Sequence, residues 1–419
     1  MREFNPCLLP VTSPERSARK SVCQKKVLTL FGTRPELIKL APVMLQFERL
    51  RGPIRTINIA SGQHADLLAP LVDLFGIRVD ENLRAMTVDQ TPDALRRRIL
   101  LKLELVVDKE CPDLILVQGD TETALAGAMI GYRRGIPVGH VEAGLRSGIL
   151  SSPYPEEMNR RLITRLGTYH FAATTRNRDL LLSEGIVSRR IFLTGNPLVD
   201  SLLYCLRRPT GGDRVKSLLR KTSNLKRIVL TTHRRESFDN VLAGNLRVLC
   251  RFMREHNDVA LIFPVHPNPN VKAAAKQMCA GQARVILTEP LDYRDFVSLL
   301  SSAWLIVSDS GGIQEEAPTL GKPLLILREN TERPECIDAG VARLVGGRPE
   351  TLNAMLEEAY QKGSWVESVD KVQNPFGDGR SGQRIAACVA ELLGAEALRQ
   401  DRHRRPMAQA SGQANAAAD

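Results

Sequence analysis

Short apolar runs alternate with helix-patterned stretches from Lys25 to about Leu393, and nearly every run ends in a cluster of glycine and polar residues. "KKVLTLF" leads into "GTRPE", "RTINIA" into "SGQH", "LILVQ" into "GDTET" and "IPVGHVE" into "AG". After "IFLTGN" the alternation starts again with "LKRIVLTTH", "VALIFPVH", "RVILTEP" and "WLIVSDS". Strands separated by helices need crossover connections, which makes a sheet parallel and covers both its faces. Two such series predict an α/β protein with two Rossmann-like, doubly wound domains, joined near "TGNPLVDSLL". Ligands of such sheets sit beyond the carboxyl ends of the strands. All the polar clusters fall there, so the two halves are expected to face one another across a central cleft. The expected division is a flexible extension over 1–24, an N-terminal α/β domain over 25–196 and a nucleotide-binding α/β domain over 197–380. A helix over 381–397 follows, for which a return to the first domain is one placement. A disordered, low-complexity tail over 398–419 ends the chain.

Composition narrows the class. Of 419 residues 43% are apolar and 25% charged, as in ordinary globular proteins, and no apolar run approaches the ~20 residues of a membrane span. The net charge of +11 suggests an anionic partner, although about half of it sits at the two ends. Aromatic residues are only 5%, too few for a stacking platform, so a small phosphate-bearing ligand is expected rather than nucleic acid. Eight cysteines are scattered without a CxxC or other metal spacing. They read as reduced thiols of a cytoplasmic protein, and no metal or cofactor is expected.

The chemistry sits in the strand-end clusters. In "SDSGGIQEE", Ser310, Gly311 and Gly312 follow a strand and open a helix, where free N–H groups and the helix dipole favour a phosphate. The same segment also reads as a plain glycine turn with an N-cap. Arg34 and Lys39 of "GTRPELIKL" have the reach to meet a diphosphate, as has Arg333 of "ENTERPE"; exposed charges are the ordinary alternative. Glu315 and Glu316 lie on a first helical turn, where one carboxylate is placed to accept from a ribose. Asp120, Glu142 and Glu156 stand at neighbouring strand ends or helix starts of the first half, as an acid/base cluster requires. Each alone reads equally as a cap or an ion-pair partner. His233 ends the first strand of the second half and is placed to handle a proton near neutral pH. His64, His140 and His266 have weaker claims.

Taken together, the segments "FGTRPELIKLAPV", "SGQH", "QGDTETALA", "PVGHVEAGLRSG", "PYPEEMNRRL", "TGNPLVDSLL", "HRRESF", "PVHPNPNV", "SDSGGIQEEAPTLGKPLLILRENTERPE" and "NPFGDG" resemble the non-hydrolysing UDP-N-acetylglucosamine 2-epimerases over about nine tenths of the chain. The resemblance implies the glycosyltransferase-B-like fold, a homodimer and a UDP-sugar substrate. Carried over by position, Arg34, Lys39, Ser310, Gly311 and Gly312 would hold the diphosphate. Phe296 and the backbone around Leu291 would hold the uracil, Glu316 the ribose, and Arg333 would lie by the sugar. Asp120, Glu142, Glu156 and His233 would form the catalytic group. Gln63, His64 and Arg234 would belong to an activator site for a second substrate molecule. There the chain departs from its relatives, with Ala65 where they carry Arg. Thr232 and Glu122 also stand where Gly and Thr are common.

The resemblance further implies reversible 2-epimerisation of UDP-N-acetylglucosamine to UDP-N-acetylmannosamine, supplying cell-surface polysaccharide synthesis. Carbon 2 has no neighbouring carbonyl to acidify its proton. Departure of the anomeric diphosphate builds positive character at carbon 1 and makes that proton removable. A glycosyltransferase of the same fold and a hydrolysing epimerase are the competing readings.

Overall fold

The computed structural model describes residues 24–50, 54–63, 65–87, 90–150, 152–208, 211–232, 240–279 and 281–394. The expected tail lies outside them, as does the expected extension apart from Gln24. Both halves are built on fully parallel sheets.

The first half runs β1 (Lys25–Phe31), α1 (Arg34–Arg49), β2 (Ile54–Ala60), α2 (Ala65–Phe75), β3 (Glu81–Asn82), α3 (Pro92–Glu110), β4 (Leu114–Gln118), α4 (Glu122–Arg134), β5 (Val138–Ala143), α5 (Glu156–Leu166), β6 (Tyr169–Ala172), α6 (Thr175–Ser183) and β7 (Ile191–Leu193). Its strands lie in the order β3-β2-β1-β4-β5-β6-β7. Helices α7 (Pro197–Leu206) and α8 (Asp213–Lys221) lead into the second half. There follow β8 (Lys226–Thr231), α9 (Asn240–Glu255), β9 (Val259–Pro264), α10 (Pro269–Cys279), β10 (Val285–Thr288), α11 (Tyr293–Ser301), β11 (Leu305–Ser308), α12 (Gly311–Leu320), β12 (Leu324–Ile326), α13 (Glu335–Asp338), β13 (Ala342–Leu344), α14 (Pro349–Tyr360) and α15 (Ser381–Leu392). The second sheet has the order β10-β9-β8-β11-β12-β13.

The order explains where the ligand cleft must lie. In each sheet the chain winds outward from one central strand, then crosses back and winds the other way. The reversals fall between β1 and β4 and between β8 and β11. Loops leaving two such neighbouring strands part to opposite faces and open a crevice. The sequence segments at those points are "GTRPE" and "QGDTE" in the first half and Thr231–Thr232 and "SDSGG" in the second.

Central strands are buried on both faces, as parallel sheets require. Val27, Leu28, Leu30 and Phe31 of β1 and Leu114 to Val117 of β4 are fully buried. Each such aliphatic side chain contributes ~1.5–3 kcal/mol by leaving water. One core cluster joins distant parts of the chain: α1 packs with Leu198 and Leu202 of α7 and with Ile385, Ala386, Val389 and Ala390 of α15. The α15 start is fixed from α7, where Asp200 accepts from the N–H groups of Ser381 (3.1 Å) and Gly382 (2.9 Å). Any Cβ on Gly382 would fall 2.8 Å from the Pro42 backbone, so only glycine lets the two helices cross this closely. Among the described residues no helix is long and apolar enough to cross a membrane.

Candidate active site

A cavity of about 490 Å³ lies between the strand ends of the two sheets, within the usual range for small-molecule sites. From the first half it is lined by Arg34, Lys39, Asp120, Glu142, Glu156 and Arg160, and from the second by Tyr293, Phe296, Ser310, Gly311, Gly312, Glu316 and Arg333.

The second half supplies the anion-binding end. Ser310 is the N-cap of α12, and Gly311 and Gly312 begin that helix, so their N–H groups have no earlier carbonyl to bond. Around Gly312 the position of an added Cβ meets nothing closer than Ser310 Oγ at 3.9 Å, so this N-terminus opens into the cavity. Gly311 is different, since a Cβ there would stand 2.8 Å from Nη1 of Arg333. Opposite lies Arg34, exposed on the first turn of α1. Glu316 is buried and accepts from the Tyr293 hydroxyl at 3.2 Å. Burial pushes its carboxyl up to about 7. Leu291 packs into the second-half core and is not among the lining residues, whereas Phe296 is.

The first half supplies the carboxylates. Glu142 has φ of +65°, in the left-handed region, and the β5–β6 register shifts between Val141 and Ala143. The bulge turns one strand residue out of the sheet pattern and aims its side chain at the cavity, a strained arrangement of the kind found at functional sites. Its carboxylate accepts from Lys39, from the Gln118 amide and from Asn196 Nδ2 (3.4 Å), and Arg333 Nη2 lies 3.6 Å away. Burial acts to raise the Glu142 pKa, but Lys39 and Arg333 outweigh it and hold the carboxyl below its ordinary value. Asp120 is held through Oδ2 by Nε (2.8 Å) and Nη2 (2.7 Å) of Arg160, a two-pronged contact. Asn159 donates to the Asp120 carbonyl (3.0 Å), and Arg160 is itself pinned by Glu157 (3.1 Å). Glu156 opens α5 and lines the cavity.

The structure thus brings Asp120, Glu142 and Glu156 together with Arg34, Phe296, Ser310, Gly311, Gly312, Glu316 and Arg333. Lys39 is also present, but it is buried and paired with Glu142 and Glu315 rather than held out to solvent. His233, His64 and Arg234 lie outside the described residues. Gln63 is described; its Oε1 accepts from Thr123 Oγ1 (3.2 Å), and it does not line this cavity. Several supporting residues were not singled out in the sequence. Glu36 receives hydrogen bonds from the N–H groups of Gly32 (3.0 Å) and Thr33 (2.7 Å) and from the Thr33 (2.9 Å) and Thr121 (2.6 Å) hydroxyls. It ties the two strand-end loops of the first half together, and the Thr33-x-x-Glu36 spacing of a capping box is its sequence signal. Arg160 and Gln118 carry no such signal, because their partners come from other elements.

Two parallel α/β sheets, wound in opposite senses from central strands and meeting at a polar cleft, place the chain in the glycosyltransferase-B-like fold class. A glycosyltransferase of Rickettsia africae shares that fold, with a TM-score of 0.59 at 13% identity over 88% of this chain and 99% of its own. Residues 49–390 match the family model of UDP-N-acetylglucosamine 2-epimerases. The UDP-N-acetylglucosamine 2-epimerase of Salmonella typhimurium is 41% identical over 366 residues, spanning 86% of this chain and 97% of the relative. The UDP-N-acetylglucosamine 2-epimerase of Neisseria meningitidis, solved bound to UDP-N-acetylglucosamine, superposes with a TM-score of 0.81 at 36% identity, over 87% of this chain and all of that one. The chain belongs to the UDP-N-acetylglucosamine 2-epimerase family, whose members are isomerases.

Proposed function

We propose that this protein interconverts UDP-N-acetylglucosamine and UDP-N-acetylmannosamine without net hydrolysis, by eliminating UDP and adding it back. In the first step the bond from carbon 1 to the diphosphate oxygen breaks, the carbon 2 proton is removed, and a carbon 1–carbon 2 double bond forms, giving 2-acetamidoglucal and UDP. In the second, a proton reaches carbon 2 from the opposite face and the diphosphate oxygen rebonds to carbon 1. The observation that carries this reading is one cavity with anion donors at one end and three carboxylates from the facing sheet at the other. Arg34, Ser310, Gly311 and Gly312 would stabilise the departing diphosphate, with preorganised donors that need no reorientation as charge develops. Phe296, the backbone near Leu291, and Glu316 would hold the nucleoside. Asp120, Glu142, Glu156 and His233 would move protons on the two faces of the sugar. In this division of labour, 25–196 carries the carboxylates and 197–380 the nucleotide. Enclosure between the halves would keep water from the intermediate.

Incubation of UDP-N-acetylglucosamine alone with the protein in D2O tests this by proton NMR. Deuterium is expected at carbon 2 of both epimers, with no acceptor needed. Full proton retention at carbon 2 would refute the route, and accumulation of UDP with free N-acetylmannosamine would establish a hydrolysing enzyme.

The same reading includes a homodimer in the cytoplasm that supplies cell-surface polysaccharide synthesis. The described cysteines are all free thiols, in keeping with a reducing compartment. Helices α3 and α4 pack side by side, and on their outer faces Leu101, Leu105 and Tyr132 are 69%, 70% and 68% exposed. An apolar stripe of this kind suits a self-complementary contact. Sedimentation is expected to give a dimer for the natural chain and a monomer for Leu105→Lys; an unchanged dimer would remove this face from the interface.

A further inference from the structure

Four buried charged groups meet where the two halves touch. Lys39 of α1 and Glu142 of the β5 bulge come from the first half, and Glu315 of α12 and Arg333 of the loop before α13 from the second. None is more than 9% exposed. Within each half there is one neutral pair: Lys39 with Glu142, and Arg333 Nε with Glu315 Oε1 at 2.5 Å. Across the cleft there are two more contacts, Lys39 to Glu315 Oε2 at 3.0 Å and Arg333 Nη2 to Glu142 Oε1 at 3.6 Å. If the halves part, each keeps a neutral pair that water can solvate. When they meet, each carboxylate is shared by a cation from either side. Buried charges tolerate this only when every one is paired.

Glu315 is the element of this ring that the reaction does not use. It does not line the cavity, its two oxygens lie within ion-pair distance of Arg333 and Lys39, and it is 1% exposed. We propose that Glu315 is a positioning residue that clasps Lys39 across the cleft and Arg333 beside it, so that Glu142 meets both cations only in the closed molecule. This rests on reading Glu142 as a proton-transfer group. The charged groups facing Glu142 are Lys39, Arg333 and Glu315 themselves, with Glu332 beside Arg333 at 3.5 Å. The Glu142 and Glu315 carboxyls also meet: that bond, with the cations, keeps Glu142 below its ordinary pKa, while burial and the neighbouring Glu142 raise Glu315, so on acidification Glu315 takes its proton first and unmakes the ring. With glutamine in its place that first titration is absent, and the acid limb is left to Glu142 at lower pH. The ring is also left with one positive charge in excess, which opposes closure.

The test compares the natural protein with Glu315→Gln in two measurements. Small-angle scattering with and without UDP reads closure and needs no turnover; the natural protein is expected to become more compact with UDP and the variant is not. The pH profile of kcat reads the two carboxyls; in the variant the plateau is expected to fall roughly tenfold and the acid limb to move down by about one pH unit. A merely structural role for Glu315 would lower the plateau and leave the limb in place. A limb that stays put, or full compaction of the variant with UDP, overturns the proposal. Should Glu315→Gln not fold, Glu315→Asp replaces it: one methylene shorter, it is expected to compact partially with a reduced kcat, and natural values of both overturn the clasp. If the natural protein compacts with UDP but does not epimerise, the functional reading fails while scattering still decides the clasp.

Discussion

Adjacent glycines at the start of α12 separate protein packing from ligand contact. At Gly311, a Cβ would sit 2.8 Å from Nη1 of Arg333, well inside contact distance. An arginine tip usually yields, but this one is fixed by Glu315 at 2.5 Å and Glu332 at 3.5 Å and lies close to Glu142. Gly311→Ala must therefore push the guanidinium off its carboxylates or bend the helix start. Overpacking of this kind costs ~1–3 kcal/mol, against ~1 kcal/mol at most regained from alanine's helix preference. The variant is expected to melt a few degrees lower than the natural protein in the absence of any ligand, at ~2–4 °C per kcal/mol. At Gly312 a Cβ meets nothing within 3.9 Å and projects toward the cavity. Gly312→Ala should leave the ligand-free melting temperature unchanged, yet its methyl would stand where a phosphate approaches the helix N–H groups. Loss of one charge-assisted hydrogen bond is ~1.5–3 kcal/mol, a rise in the UDP Kd of roughly 10- to 150-fold. Differential scanning fluorimetry and titration calorimetry with UDP read the two effects separately. Natural UDP affinity in Gly312→Ala would refute the placement of the diphosphate, and natural melting in Gly311→Ala would refute the rigidity of the Arg333 cluster.

Two further outcomes follow from the first half. Arg160→Lys keeps a cation but loses the two-pronged grip on Asp120, so steady-state kcat is expected to fall about tenfold or more with little change in UDP affinity, and Asp120→Asn to fall by at least ~10²-fold; natural turnover in Asp120→Asn would remove it from the catalytic group. His140 and His170 pair across β5 and β6 and are buried, which pulls their pKa values from 6.5 down to about 4 and about 3. The unfolded chain therefore takes up protons below about pH 6.5 that the folded one refuses, and stability is lost as pH falls from there toward 4, at ~1.4 kcal/mol per pH unit for each group. Melting measured from pH 7 to 4 should drop steeply, and His170→Leu, if folded, should flatten the drop; an unchanged pH slope would refute the assignment.

The alternation of strands and helices was legible because buried parallel strands leave solid apolar runs and their ends leave glycine and polar clusters. Residues 77–112 carry no clear strand or helix pattern, yet the structure has β3 and α3 there. There α3 carries outward-facing Leu101 and Leu105 among its charges, so apolar residues occupy both faces and blur the 3.6-residue stripe. A two-residue strand such as β3 has no periodicity to read. In the site, residues at strand ends were legible from position alone. The aim of Glu142 was not, because it depends on a register shift against β6, and neither was the burial of Lys39, which reads as a surface cation until α1 and α12 are brought together.

The packing of α15 on α1 sets an order of events during synthesis. Helix α1 leaves the ribosome early, yet side chains that cover one of its faces belong to residues 385–390. At ~5–20 residues per second, the nascent first half must carry that apolar face unsheltered while the whole second half is made. A chain interrupted anywhere before α15 would keep it unsheltered for good, including the Pro42 backbone on which Gly382 closes. Emergence of α15, rather than completion of either sheet, is the moment at which that face of α1 is covered.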